Sequence, residues 1–412
     1  MVCPTTPEGG NRKPLSGIQI LDLTRVLAGP WATQHLADLG ATVIKVERPG
    51  TGDESRGYGP FLGAKTGPRR MTPMYLCANR NKKSITVNLA DEAGQTLVRD
   101  LALRCDVLVE NYKVGDLARY GLDYDSLAAL NPRLVYCSLT GYGQSGPFKE
   151  RPGYDPVMQA MVGMMSVTGH PGGEPTKCGP SVIDLMTGMY AASAVQGALY
   201  HREKTSGRGQ YIDVALLDCG FALLAQQVMH TLIQGEPAKA AGNFGNSGRP
   251  AGAYRCQDGY IVISPGSEGL YKRFCAALER PDLATDPRFV TNTERLVNGD
   301  ALKAVLDAEF ARWTVERLCD VLVNAGVPAS PVYNIRQALD MAQSVERGVM
   351  VDTPVVDCES FGLLANPIRY SDTPLNIESV PPVLGEHTDE VLRDLLGLDA
   401  PTLARLHGAG VV

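Results

Sequence analysis

Short runs rich in β-branched residues alternate with helical segments along the first 140 residues, and this alternation constrains the chain more than any other feature. Ile18–Leu23 reads as a strand, and Leu27-Ala28-Gly29-Pro30 turns it into a helix ending near Gly40. Pro30 suits the first helical position, where its missing donor costs nothing. Ala41–Glu47 reads as a second strand. Together they make a β-α-β unit, which implies a parallel pair with a right-handed crossover. Strands at Ser84–Asn88, Asp106–Glu110 and Arg133–Leu139 continue the pattern. Between them lie a helix at Glu92–Leu103 and helical turns at Gly115–Tyr120 and Tyr124–Leu130. The expected fold class is α/β, a Rossmann-like doubly wound large domain plus a smaller α+β domain. Ligands on such a sheet lie beyond the carboxyl ends of the strands. The loops Arg25–Pro30, Arg48–Arg56, Asn111–Gly115 and Thr140–Pro147 are therefore expected to rim the site.

One acidic residue stands out against that rim. Gly141–Pro147 and Gly153-Tyr154-Asp155 lead into a Gly/Pro-rich loop, Thr168–Gly173, and then to Asp184. From Asp184 a helix of small residues runs to about Lys204; Thr205–Gly209 stops it, and Gln210–Val214 reads as a strand. An Asp in this place is expected to be an N-cap. The positive end of the helix dipole and the free N–H groups there would lower its pKa and keep it ionised. An ionised carboxylate can act as a nucleophile. Gly169, Gly172, Gly173, Gly179 and Gly188 leave backbone N–H groups unshielded for a developing oxyanion.

The texture changes after a helix read over Cys219–Gln234. The expected organisation is a flexible tail over 1–14, a large domain over 15–235 and a linker over 236–250. A small α+β domain over 251–331 follows, and then 332–412, which returns to the large domain. Tyr260–Ile263 reads as a strand of the small domain, 267–278, 300–311 and 314–325 as its helices, and Trp313 as a core aromatic.

Several function classes are disfavoured by composition. A formal charge of −6 over 412 residues gives no basic footprint, so nucleic acid is not an expected partner. No apolar run approaches the ~18 residues of a membrane span. Ten cysteines, dispersed singly, fit a reducing cytosol or a mitochondrial matrix. The six histidines are dispersed too, so no metal is expected. Arg25–Pro30 is not a G-x-G-x-x-G turn, and no Gly-x-Ser-x-Gly elbow is present. Arg48, Arg80, Lys82, Lys83, Arg119 and Lys149 fall in or near the rim loops, which suits a phosphate-rich ligand.

Seven stretches, in order, carry a resemblance. They are Leu21–Pro30, Leu39–Glu47, Asn79–Ser84, Asp106–Tyr112, Gly141–Pro147, the Asp184 helix and Thr205–Asp218. Over about Leu15 to Gly408 the sequence resembles the class III CoA-transferases, the formyl-CoA and carnitine CoA-transferase family. Its flavour is that of the branch acting on dicarboxylic acyl groups such as glutarate, malate or citramalate with succinyl-CoA.

That resemblance implies a catalytic Asp184 working through acyl-aspartyl anhydride and aspartyl-CoA thioester intermediates. It implies no tightly bound cofactor, with coenzyme A entering as acyl-CoA substrate beside a small carboxylic acid. Val26 and Leu27 match positions near the CoA arm, and Arg48 one near its phosphates. Val87 and Ala90 match positions flanking adenine, although Ala90 replaces a family Lys. Asn111, Tyr112 and Arg119 match further CoA contacts; Thr140 stands where some members carry Lys. Asn243–Gly248 is the nearest match to the family's glycine run, and Arg25 and His170 are candidates to face the acyl end. The family's interlocked homodimer, with linkers threading the partner, is implied as well.

Two alternatives stand beside this reading. α-Methylacyl-CoA racemase shares the fold but pairs the aspartate with a His where this chain has Tyr154. A tyrosine of pKa ~10 is a poor proton carrier at neutral pH, which favours the transferase. A non-enzymatic CoA-binding protein would need no nucleophile at all.

Overall fold

The computed structural model describes residues 12–244, 248–355 and 358–412. The chain gathers into two compact units. The first comprises the chain up to Val162, Cys178–Val228 and Gln343–Val412; the second comprises Gly163–Lys177 and Met229–Ala342.

The first unit is built on a six-stranded sheet. Its strands are β1 (Gln19–Asp22), β2 (Thr42–Glu47), β3 (Lys82–Thr86), β4 (Val107–Glu110), β5 (Val135–Thr140) and β6 (Tyr211–Ala215). They lie in the order β3-β2-β1-β4-β5-β6, all parallel. The order reverses between β1 and β4, and that reversal opens a crevice at the carboxyl ends of these two strands.

Successive residues of a strand point to opposite faces, and both faces are buried here. Ile20, Val43, Val107 and Val135 face one helical layer, α1 (Ala28–Asp38) and the helix Val182–His201, through Ala32, Leu36, Ala191 and Val195. Their neighbours Leu21, Ile44, Leu108 and Tyr136 face the other layer. There they meet Leu97, Val98 and Leu101 of α2 (Glu92–Ala102) and the C-terminal Leu392, Leu403 and Val411. Strands covered on both sides read as near-continuous apolar runs, which is why the alternation was so legible.

The edge of β3 is covered by the chain's return. His387 N–H donates to Ser84 O at 2.9 Å and Thr86 N–H to Thr388 Oγ1 at 3.0 Å. Arg56 Nη2 donates to Pro382 O at 3.1 Å. A covered edge offers no unpaired ladder to other chains.

Three local expectations are corrected. Pro30 is the third residue of α1 rather than the first; its missing N–H still falls among the four unpaired donors of the first turn. The helix read over Cys219–Gln234 is two helices, Leu216–Leu223 and Ala225–Gln234, divided at Leu224. The helix read from Asp184 begins at Val182 and ends at His201, and a wider turn over Arg202–Ser206 leads to Gly207 at φ 65. That left-handed residue closes the helix end, as glycine does without steric cost.

The second unit carries a three-stranded antiparallel sheet, β7 (Gly252–Arg255), β8 (Tyr260–Ile263) and β9 (Ala329–Pro331). Helices over Glu268–Ala277, Gly299–Phe310 and Val315–Asn324 enclose a core that includes Tyr254, Phe274, Phe289 and Phe310. Trp313 packs at the margin of this core and donates to Glu309 Oε1 at 3.0 Å. Part of the expected glycine run, residues 245–247, lies outside the described residues.

Candidate active site

The crevice at the β1/β4 reversal holds a cavity of about 180 Å3. Its walls come from the loop after β1, the loop after β4, the end of β5 and the start of the Val182–His201 helix, labelled α3 below. Asp184, Val26, Leu27, Asn111, Tyr112 and Thr140 all line it. Six of the ten residues proposed from sequence are thus brought together.

Four are not. Arg48 is exposed on the turn after β2, and its carbonyl accepts from Gly52 N–H. Val87 is a core residue, packed beneath β3. Ala90 is exposed, its N–H turned to Asn88 Oδ1. Arg119 is exposed and paired with Asp116 at 2.7 Å. The second unit holds a larger open groove, about 880 Å3, which includes His170 but none of those ten residues.

Asp184 is the third residue of α3, and Ser181 is the cap position. The expected capping role belongs to Asp155. Asp155 Oδ2 accepts Ile183 N–H at 2.8 Å and Asp184 N–H at 3.2 Å. Asp155 Oδ1 accepts from Gln159 Nε2 at 2.5 Å, and Gln159 Oε1 accepts Cys178 N–H at 2.8 Å. A buried carboxylate thus ties the segment before α3 to the first turn of α3, satisfying donors the helix itself cannot pair.

The same arrangement overturns the expected charge state. Burial raises the Asp184 carboxyl, the nearby Asp155 carboxylate raises it further, and together they bring it to about 7. The dipole-facing N–H groups that would have lowered it are occupied by Asp155. One of the glycines expected to cradle an oxyanion is committed to helix packing. Gly188 packs against α1: a Cβ there would fall 2.5 Å from Ala28 O. Gly169, Gly172 and Gly173 belong to the second unit.

The loop after β1 is held unusually firmly. Asn111 grips Arg25 by both backbone groups, accepting its N–H at 3.0 Å and donating to its carbonyl at 2.9 Å. Val26 sits at φ 68, where a β-branched residue is strained. Its N–H donates to Asp53 Oδ1 at 3.0 Å.

Beneath this loop runs a chain of buried charges that sequence reading missed. Asp53 pairs with Lys45 at 2.8 Å, and Lys45 Nζ donates to Thr24 O at 2.8 Å. Lys82 pairs with Asp22 at 3.1 Å and donates to Pro30 O at 2.9 Å. Arg56 holds Glu47 through two nitrogens, at 2.7 and 2.8 Å. Each charge has an opposite partner and further hydrogen bonds, the condition for keeping ions out of water. Lys45 carries a local signal, a lysine in the middle of an otherwise strand-like run, whereas Lys82 opens its strand after a polar stretch and carries none.

Glu110, at the end of β4, is raised to about 7 by burial. It accepts from the Ser138 hydroxyl and, at 2.7 Å, from Tyr112 N–H. This fixes the backbone from which Tyr112 reaches the cavity. Among the described residues, no cluster of His, Cys, Asp or Glu is arranged to hold a metal ion. No single helix among them is long and apolar enough to cross a membrane.

The Asp184 carboxylate is thus half-buried at the switch point of a doubly wound sheet, where such sheets bind ligands, in a cavity with tightly held loops. Comparison with known proteins identifies the family. The family model for CoA-transferase family III matches residues 15–388. The succinate–glutarate CoA-transferase of Agrobacterium fabrum is 43% identical over 93% of this chain and 96% of its own length. The human succinyl-CoA:glutarate CoA-transferase is 39% identical over 98% of this chain and 90% of its own. The succinyl-CoA–D-citramalate CoA-transferase of Chloroflexus aurantiacus is 33% identical over 97% of this chain and 98% of its own. Among solved structures, a CaiB/BaiF family protein from Brucella suis superposes with a TM-score of 0.84 at 41% identity, covering 93% of this chain and all of that one. With the site at the β1/β4 switch point and a family match over nearly the whole chain, this protein belongs to CoA-transferase family III.

Proposed function

We propose that the protein moves CoA from succinyl-CoA, or a similar dicarboxylic acyl-CoA, to a dicarboxylic acid acceptor such as glutarate, with Asp184 as nucleophile. The observation that carries this reading is the Asp184 carboxylate lining the switch-point cavity together with Val26, Leu27, Asn111, Tyr112 and Thr140. The substrates named for the similar enzymes support the choice of dicarboxylates.

The reaction runs in four steps. Ionised Asp184 adds through a carboxylate oxygen to the donor thioester carbonyl; the C–S bond breaks, leaving an acyl-aspartyl anhydride and CoA thiolate. The thiolate attacks the aspartyl carbonyl, forming an aspartyl-CoA thioester and releasing the donor acid as its carboxylate. The acceptor carboxylate attacks that thioester, giving a second anhydride and freeing the thiolate again. The thiolate then attacks the acceptor's acyl carbonyl, and the new acyl-CoA leaves with Asp184 restored. Water must be kept out throughout, because both kinds of intermediate hydrolyse.

Val26, Leu27, Asn111, Tyr112 and Thr140 are proposed to guide the CoA arm into the cavity, with the exposed Arg48, Ala90 and Arg119 contacting its outer parts; Val87, buried in the core, is not available for contact. The working unit is proposed to be an interlocked homodimer, with 236–250 and the chain after 331 as its crossing segments. No tightly bound cofactor takes part.

The test is incubation with succinyl-CoA and single acceptor acids, followed by chromatography of acyl-CoA products. Glutaryl-CoA formation is expected, with free succinate released in equal amount. Absence of any transferred CoA, with solvent deuterium entering the α-carbon of an acyl-CoA, would move the assignment to the racemase of the same fold.

A further inference from the structure

We infer that Arg25 selects for dicarboxylic acids: its guanidinium receives the far carboxylate of the acyl chain whose near end reacts at Asp184. This deepens the transferase reading above and rests on it. Arg25 and Asp184 line the same cavity. The other basic side chains around it, Lys113, Lys149 and Arg151, are exposed, whereas Arg25 is partly buried. A cation set beside the reacting carboxyl can discriminate between charged and uncharged chain ends.

The chain holds Arg25 in place at a cost. Its two backbone groups are bound by Asn111, and the next residue, Val26, keeps a left-handed conformation secured by Asp53. Strain retained at one position by surrounding bonds is a mark of a functional constraint. The guanidinium lies over the Tyr112 ring, 4.7 Å from its centroid, and one Nη donates to Glu54 at 2.8 Å. Arg25 Nε is buried and has no acceptor among the described residues. A guanidinium so placed retains donors for a second carboxylate.

Glu54 is the stand-in for that carboxylate. Both side chains of the Arg25–Glu54 pair are partly open to solvent, 38% and 48%. Such a pair contributes little and gives way readily to a better-oriented anion. A short α,ω-dicarboxylic acid brings its own carboxylate and replaces Glu54. A monocarboxylic acid of equal length places a methyl group there and leaves the guanidinium without a gain.

The experiment measures kcat/KM for glutarate and for valerate as acceptors from one donor, succinyl-CoA, in wild type, Arg25→Met, Arg25→Lys and Glu54→Gln. In Arg25→Met the glutarate-to-valerate ratio is expected to fall by about 100-fold, and Arg25→Lys to restore part of it. Glu54→Gln, which removes the competing carboxylate, is expected to lower KM for glutarate several-fold and so gives a readout even if Arg25→Met folds poorly. An unchanged ratio in Arg25→Met, or an unchanged KM in Glu54→Gln, overturns the assignment of Arg25 alone. A wild-type protein that transfers CoA to no carboxylic acid overturns the transferase reading, and Arg25's role with it.

Discussion

The carboxylate of Asp155 accepts the backbone N–H of Asp184 at 3.2 Å. Two acids therefore meet at one helix start, one buried as a structural clasp and the other facing the cavity. The clasp supplies a negative charge beside a carboxyl already raised by burial, and Asp184 comes to about 7.

The pH dependence follows from this. In the proposed mechanism only ionised Asp184 attacks a thioester, so kcat/KM should fall tenfold for each pH unit below about 7 and level off above it. Asp155→Asn keeps an oxygen to accept the two N–H groups but removes the charge. Its acid limb is expected to shift to lower pH in an initial-rate profile with succinyl-CoA; an unmoved limb would show that Asp155 does not act on Asp184 electrostatically.

Stability should respond in the opposite sense. The folded-state value of Asp184 is raised, so the protonated form is the one the fold favours. That contribution is full below the unfolded value near 3.9 and is lost as pH rises through about 7. Asp184→Asn, which cannot ionise, should therefore be more stable than wild type by roughly 1–3 kcal/mol at pH 8 and should lose that advantage toward pH 4. Urea unfolding at the two pH values measures the difference.

Gly188 lies one turn beyond Asp184 on the same helix, where a Cβ would fall 2.5 Å from Ala28 O and 3.2 Å from Ala32 N. Backbone cannot yield as a flexible side chain can. Gly188→Ala should push α3 away from α1, lower stability by roughly 1–3 kcal/mol and reduce kcat more than it raises KM, because Ala28 and Asp184 line one cavity. Thermal melts and steady-state kinetics report the two effects separately.

Lys45 and Asp53 form a fully buried pair that secures the loop after β1. Lys45→Met leaves Asp53 buried and unpaired, which should cost about 3–5 kcal/mol in urea unfolding. In the wild type the Asp53 carboxyl is held down at about 2 against burial, chiefly by Lys45. Its contribution is present above the unfolded value near 3.9 and is lost as pH falls through about 2. The variant should lack that acid-sensitive contribution.

The legible parts of the molecule were those written in local pattern. Strands buried on both faces gave β-branched and apolar runs such as Val107–Glu110, and the helix of small residues around Asp184 was visible from its composition. Short strands with few β-branched residues, Gly252–Arg255 and Ala329–Pro331, were not visible, because their pairing depends on partners elsewhere in the chain. The candidate nucleophile was picked out by its place near a helix start, but its pKa, expected to be lowered, is raised. The cause lies 29 residues away in Asp155, which only the fold brings to the helix. Likewise nothing local predicts that Arg56 reaches across 326 positions to Pro382.

The most direct measurement is intact-protein mass spectrometry after mixing with succinyl-CoA, followed by hydroxylamine or borohydride trapping and peptide mapping. Covalent transfer through Asp184 requires a trapped modification on the peptide carrying Asp184 in the wild type and none in Asp184→Asn. A wild type that turns over succinyl-CoA and glutarate without any such label, or an Asp184→Asn variant that still transfers CoA, would contradict it.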